Sequence, residues 1–129
     1  MKDLHILITV PQPLRDQIMT EETAQRLTSL AKVTWNTDGH NWSGEELAEK
    51  LAGQDAVLGS WGMCELSESV LTSADRLKLI AYAAGSVRYF VPEALFERGV
   101  AVTHAAGRIA HSVAEFTLLL AMLGLRQPH

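Results

Sequence analysis

The chain has 129 residues, 47% of them hydrophobic, a formal net charge of −4 and one cysteine, Cys64. That length and apolar content suit one soluble domain with its own core and leave little room for two. Its 11 basic residues are interspersed with 15 acidic ones, which gives no basic footprint for nucleic acid and no polybasic segment for anionic lipid. A lone cysteine excludes a disulfide framework, and the opening MKDLHILITV is too short and strand-like for a secretory signal. A cytoplasmic location is the default expectation. The apolar run from Phe116 to Leu125 is about half the length needed to cross a bilayer, so it reads as a buried helix rather than a membrane span.

Strand-like and helix-like runs alternate along the chain. Strands are expected at Leu4–Val10, Val33–Asn36, Ala56–Gly59, Leu77–Ala83 and Val100–Thr103, mostly as short continuous apolar runs that suit strands buried on both faces. Helices are expected near Pro13–Leu30, Glu45–Ala52, Ser67–Ser73, Pro92–Arg98 and Ser112–Leu125. The repeat predicts an α/β fold: a doubly wound five-stranded parallel sheet with right-handed crossovers, helices on both faces and a long apolar C-terminal helix. Ser43-Gly-Glu-Glu46 and Ser112-Val-Ala-Glu115 each set Ser three residues before Glu, the pattern of a capping box at a helix start. Pro92 suits a first helical turn and Gly99 a left-handed stop. Ala24, Leu27 and Ala31 share one helical face, as do Leu47 and Leu51.

Ligands of an open parallel sheet bind at the carboxyl ends of its strands. The residues expected there are Pro11-Gln12-Pro13, Ser60-Trp61-Gly62, Ala84-Gly85-Ser86 and His104-Ala105-Ala106-Gly107. Small residues at Ala84-Gly85-Ser86 let backbone N–H groups approach a carboxylate or phosphate closely. The plainer alternative is a tight turn that needs glycine for its backbone angle. The histidines and the cysteine show no metal-ligand spacing, and there is no G-x-S-x-G elbow and no G-x-G-x-x-G fingerprint, so no metal site and no dinucleotide site is expected in this chain. A flavin carrier needs a Ser/Thr/Gly-rich loop where Val10-Pro11-Gln12-Pro13 stands, and a receiver domain needs acids that Gly59-Ser60 does not supply.

The frame LKLIAYAAGSVRYFVPEALFERGVAVTHAAGRIAHSVAEFTL, with Arg98-Gly99-Val100 and Ser112-Val113-Ala114-Glu115 at their characteristic spacing, resembles the end of the substrate-binding domain of D-isomer-specific 2-hydroxyacid dehydrogenases. The earlier residues follow that family in element order. The resemblance implies a flavodoxin-like substrate domain over residues 1–111 and an interdomain helix over 112–129 leading to a Rossmann domain absent from the chain. It implies a substrate-binding role in an NAD(P)-dependent oxidoreductase acting on 2-hydroxy or 2-oxo acids, with no catalytic or cofactor-binding residue here. The hydride-transfer groups and the NAD or NADP site would belong to the missing half, so the chain is expected to be inactive alone. Ala84, Gly85 and Ser86 correspond to the carboxylate-binding turn, Ser60, Trp61 and Gly62 to the substrate side, and Trp61 is equally a packing residue.

The chain departs from the family at Ser86-Val87-Arg88-Tyr89, at His104-Ala105-Ala106-Gly107 and at Ile109. Arg88 is a candidate for attracting an acidic substrate and is otherwise a solvated surface charge. His104 and His111 lack a carboxylate partner at an obvious spacing and read as hinge or surface residues. Two functions remain open: the substrate-binding part of a dehydrogenase, as a truncated product or fragment, or a non-enzymatic flavodoxin-like module that binds small anions or oligomerises. Because its last helix is apolar nearly all round, the chain is expected to pack through Ser112–Leu125 against a second copy.

Overall fold

The computed structural model describes residues 3–126. Residues 1–2, in the opening segment, and 127–129, at the end of the expected interdomain helix, lie outside the described residues. Strand β1 (His5–Ile8) is followed by α1 (Gln12–Ile18), α2 (Glu21–Leu30), β2 (Lys32–Trp35), α3 (Gly44–Leu51) and β3 (Ala56–Gly59). Then come α4 (Glu68–Thr72), β4 (Leu79–Tyr82), α5 (Glu93–Glu97), β5 (Ala101–His104) and α6 (Ala106–Arg126). All strand pairs are parallel in the order β2-β1-β3-β4-β5, the flavodoxin-like order.

Register explains where the core sits. Leu7 pairs with Val57 and Val57 with Ile80, so three residues at most 1% exposed form a row across the inner strands. Leu47 and Leu51 of α3, Val70 and Leu71 of α4, and Leu95 of α5 cover that row. Right-handed crossover places α1 and α2 over the opposite face, where Arg15 lies 5.1 Å from the Trp35 ring centre. That cover is thin: neither helix buries a residue, and Leu79, Ala101 and Thr103 stay exposed. The expectation of strands buried on both faces therefore fits the central strands best and fails at both edges, in β2, where no residue is buried, and at β4–β5.

Two helices differ from expectation. The Pro13–Leu30 segment splits at Met19–Thr20 because the Thr20 hydroxyl accepts from the Thr23 N–H and restarts the chain as α2, with Glu21 and Glu22 in its first turn. The last helix begins at Ala106, six residues before Ser112. There the Ala106 N–H donates to His104 Nδ1, and the Arg108 and Ile109 N–H groups donate to the Ala105 carbonyl. Ser112 is thus a helix-interior residue and its capping box does not form, since no proline or other stop intervenes between Ala106 and Ser112. The expected burial of Phe116–Leu125 also fails within this chain: no residue of α6 is buried. At 21 residues, α6 is long and apolar enough, by length and composition alone, to cross a bilayer.

Pro92, expected in a first helical turn, is instead the extended N-cap residue of α5, just before Glu93, while the punctuation at Ser43 and Gly99 matches its reading. Ser43 and Glu46 form both hydrogen bonds of a capping box at α3. Helix α5 ends in a Schellman motif: the Gly99 N–H reaches the Phe96 carbonyl, the Val100 N–H reaches Leu95, and Gly99 has φ of 74°. The Arg98 guanidinium caps the adjacent α4, donating to the Leu71 carbonyl and, at 3.1 Å, to Ala74. At the amino ends of the strands, buried Asp55 accepts from the His5 N–H at 3.0 Å and from Arg76 at 2.8 Å. The His5 N–H, then Arg76, hold its carboxyl below the usual range against the opposing effect of burial. A Cβ at Gly99 meets nothing within 4 Å, so only the left-handed backbone opposes substitution. Gly99→Ala is expected to lower stability in urea unfolding by about 1–2 kcal/mol, the cost of a left-handed non-glycine residue.

Candidate functional site

Parallel pairing of β3 with β4 puts Gly59 opposite Tyr82, so the chain leaves both strands at the same level. Two turns therefore emerge side by side. The first spans Ser60–Met63, closed by the Met63 N–H on the Ser60 carbonyl at 3.1 Å, with Gly62 at φ 83°. A positive φ at the third position fits a type II turn. A Cβ on Gly62 would lie 2.0 Å from Asn41 Nδ2, so the loop after β2 also packs against this turn.

The second turn spans residues 84–87. Ala84 is fully buried, Gly85 and Val87 are half-buried, and Ser86 is exposed. The carbonyls behind the turn are occupied: Ser60 Oγ donates to Ala83 O at 3.1 Å, and the Ala105 N–H donates to Ala84 O at 2.9 Å. Among the described residues the backbone N–H groups of Ala84, Gly85, Ser86 and Val87 have no protein acceptor. Ser86 Oγ accepts from the Arg88 N–H at 3.3 Å, and buried Phe90 anchors the far side. Four consecutive donors without acceptors, held by a packed residue at each end, are suited to a small anion.

The structure gives the expected site residues different jobs. Ala84, Gly85 and Ser86 share one turn, and Ser60, Trp61 and Gly62 share its neighbour. Ser60 is 2% exposed with its hydroxyl committed to Ala83, so it positions the second turn. Trp61 is 53% exposed beside it. Gly85, unlike Gly62, has no positive φ, and an added Cβ meets nothing within 4 Å, so backbone geometry does not demand glycine there. Arg88 is exposed and lines a groove of about 370 Å³ with Val87, Val91, Glu93 and Phe96. A larger hollow of about 500 Å³, lined in part by Arg15, Met19, Trp35 and Thr37, lies at the β2 edge, two strands from these turns. Among the described residues no group of three His, Cys, Asp or Glu side chains converges as a metal site would require.

Sequence reading missed Asn36 and Asn41. Asn36 is fully buried after β2, donates from Nδ2 to the Thr9 and His40 carbonyls, and accepts the Asp38 N–H. It fixes the loop that carries Asn41 to the Gly62 turn; a polar residue ending an apolar strand before Thr37-Asp38-Gly39 was its signal. His40 and Asp38 brace the same loop. His40 Nε2 lies 3.2 Å from Glu46, and Trp42 Nε1 donates to Asp38 at 2.6 Å. The Glu46 carboxylate, then the Asp38 carbonyl, raise the His40 pKa; the Ser43 N–H, then His40, lower that of Glu46.

Two adjacent turns at the carboxyl ends of inner parallel strands, one bearing amides without acceptors among the described residues, stand where a doubly wound sheet takes its ligands. The chain belongs to the family described as D-isomer specific 2-hydroxyacid dehydrogenase, catalytic domain, whose model matches residues 6–119. Among solved structures it is similar to the PH0520 protein from Pyrococcus horikoshii, at 28% identity and a TM-score of 0.75, covering 98% of this chain and 34% of that one. A phosphoglycerate oxidoreductase from Rhizobium etli shares the fold at 23% identity and TM-score 0.63, covering 92% of this chain and 36% of that one. So does an acyclic imino acid reductase solved with NADPH and D-Arg, at 13% identity and TM-score 0.63, covering 79% of this chain and 31% of that one. No curated protein matches. The chain thus spans about a third of the length of these solved relatives. The imino acid reductase was solved with NADPH, and a Polaromonas relative is described as NAD-binding; among the described residues of this chain no cofactor domain is evident.

Two outcomes follow from the geometry. Ser60→Ala leaves the Ala83 carbonyl without its donor and is expected to cost about 1 kcal/mol in chemical denaturation, whereas Gly85→Ala is expected to stay within about 0.5 kcal/mol of the parent. For the His40–Glu46 pair the signs oppose. A raised histidine pKa gives stability fully present below 6.5 and lost as pH rises through the folded value. A lowered carboxyl pKa gives stability present above 4.5 and lost as pH falls through the folded value. The pair is therefore expected to stabilise most between those limits. NMR titration should place His40 above 6.5, and Glu46→Gln should bring it back down.

Proposed function

We propose that this chain supplies the substrate-binding turn of an NAD(P)-dependent D-2-hydroxyacid dehydrogenase. The carboxylate of a 2-oxo or 2-hydroxy acid is held by the backbone amides of Ala84–Val87. Trp61 borders the acid's carbon skeleton, and Arg88 adds positive charge at the rim. The carrying observation is the run of four N–H groups without an acceptor at the carboxyl end of β4. Hydride transfer, and the nicotinamide cofactor that would take the hydride from a 2-hydroxy acid or give it to a 2-oxo acid, belong to a further domain that closes over this turn, so the chain alone binds the acid without turning it over. Family membership supports this over a non-enzymatic binding module.

The test is an amide NMR titration of the chain with pyruvate, the simplest methyl-bearing 2-oxo acid, and with acetamide as an uncharged control. Shifts concentrated at residues 84–87 and at the Trp61 indole, present with pyruvate and absent with acetamide, are expected. Arg88→Ala should weaken them by up to about fivefold, the effect of losing one exposed charge contact. Pyruvate shifts spread elsewhere, or none at saturating ligand, would overturn the assignment.

A further inference from the structure

The loop after β2 delivers a polar group to the Ser60–Met63 turn and leaves it unused. Its two neighbours are fixed: the His40 carbonyl accepts from Asn36 Nδ2 at 2.9 Å, and buried Trp42 donates from Nε1 to Asp38. Asn41 between them is therefore held in place. It is exposed, and its carboxamide lies so close over Gly62 that a Cβ there would collide with Nδ2 and stand 2.8 Å from Cγ. Only glycine makes room for it. Among the described residues that carboxamide has no hydrogen-bond partner, although it offers two donors and an acceptor. The charged groups around it are spent on one another, with Glu46 3.2 Å from His40 and Lys50 3.7 Å from Asp38. What Asn41 presents to a ligand is thus polar and neutral.

We propose that Asn41 selects the far end of the acid held at residues 84–87, favouring a 2-hydroxy or 2-oxo acid that ends in a neutral hydrogen-bonding group such as a carboxamide. This rests on the carboxylate reading of the Ala84–Val87 turn. The turns after β3 and β4 leave the sheet at one level, about 4.8 Å apart, the spacing of neighbouring strands. An acid anchored after β4 brings its far end over the turn after β3, where Asn41 sits, once its carbon chain spans that gap. Pyruvate is too short. Malamate, a 2-hydroxy acid with a terminal carboxamide, is long enough. Its carboxamide pairs with that of Asn41 reciprocally, donor to acceptor on each side, which a branched alkyl end of the same shape cannot do. An apolar end laid on Asn41 would take water from its donors and return no hydrogen bond.

NMR titrations of the chain with D-malamate, with its apolar isostere D-2-hydroxy-4-methylpentanoate and with pyruvate test this. Malamate is expected to bind about threefold to tenfold tighter than the isostere, the worth of one neutral hydrogen bond, and to shift the Asn41 side-chain amide. Asn41→Leu should remove that preference, with pyruvate still shifting residues 84–87. Equal binding of malamate and the isostere by the parent chain, beside pyruvate shifts at residues 84–87, would overturn this inference alone. So would an Asn41→Leu chain that keeps the preference, or one that loses pyruvate along with malamate, since Asn41 would then only support its loop. Absence of pyruvate shifts at residues 84–87 in the parent would overturn the carboxylate reading and this inference with it.

Discussion

Parallel pairing of β3 with β4 is the constraint on which the rest depends. With Gly59 opposite Tyr82, the Ser60 turn and the Ala84 turn leave the sheet together, and Ser60 Oγ bonds across to Ala83. The same row that sets this register, Leu7 beside Val57 beside Ile80, is the best-buried part of the molecule. Slipping one strand by a residue would turn its core side chain to the other face and separate the two turns. Core packing and site geometry are therefore one arrangement seen from two directions. The amides of residues 84–87 have no acceptor among the described residues, whereas the carbonyls of Ala83 and Ala84 behind them are bonded within the fold.

Much of this was legible from local chemistry. Short apolar runs separated by capped helices specify a parallel sheet, and the Ala56–Gly59 strand, the Ser43 capping box and the Gly99 stop follow from neighbours within a few residues. Misreadings arose where one local signal had to be weighed against another. Ser112-Val-Ala-Glu115 has the spacing of a cap, yet the helix is already running from Ala106. Thr20 with Glu21 and Glu22 carries a start signal inside a longer apolar periodicity and divides it. The site was legible as a position at the strand ends, not as a division of labour. Gly62 and Gly85 look alike in sequence, but only Gly62 needs its positive φ and close packing. Asn36 and Asn41 act through contacts with Thr9 and Gly62, 27 and 21 residues away in sequence, and spacing rules do not reach that far.

The chain presents a finished core beside unfinished surfaces. The row on the α3, α4 and α5 face is closed, whereas Leu79, Ala101 and Thr103 on the other face and the whole of α6 remain open. Relatives about three times as long share this fold over their matched third. The turn after β4 is held from within the chain: Ala84 and Phe90 are packed, and the carbonyls of Ala83 and Ala84 are bonded to Ser60 and Ala105.

Amide hydrogen exchange across the segment from Tyr82 to Phe90 tests that claim most directly. The account predicts slow exchange at Ala83, whose N–H is bonded to Gly59, and fast exchange at Ala84, Gly85, Ser86 and Val87, whose N–H groups are free. Protection of those four amides in the ligand-free chain comparable to that of Ala83 would show that they are bonded within the protein, and would contradict a preformed anion-binding turn.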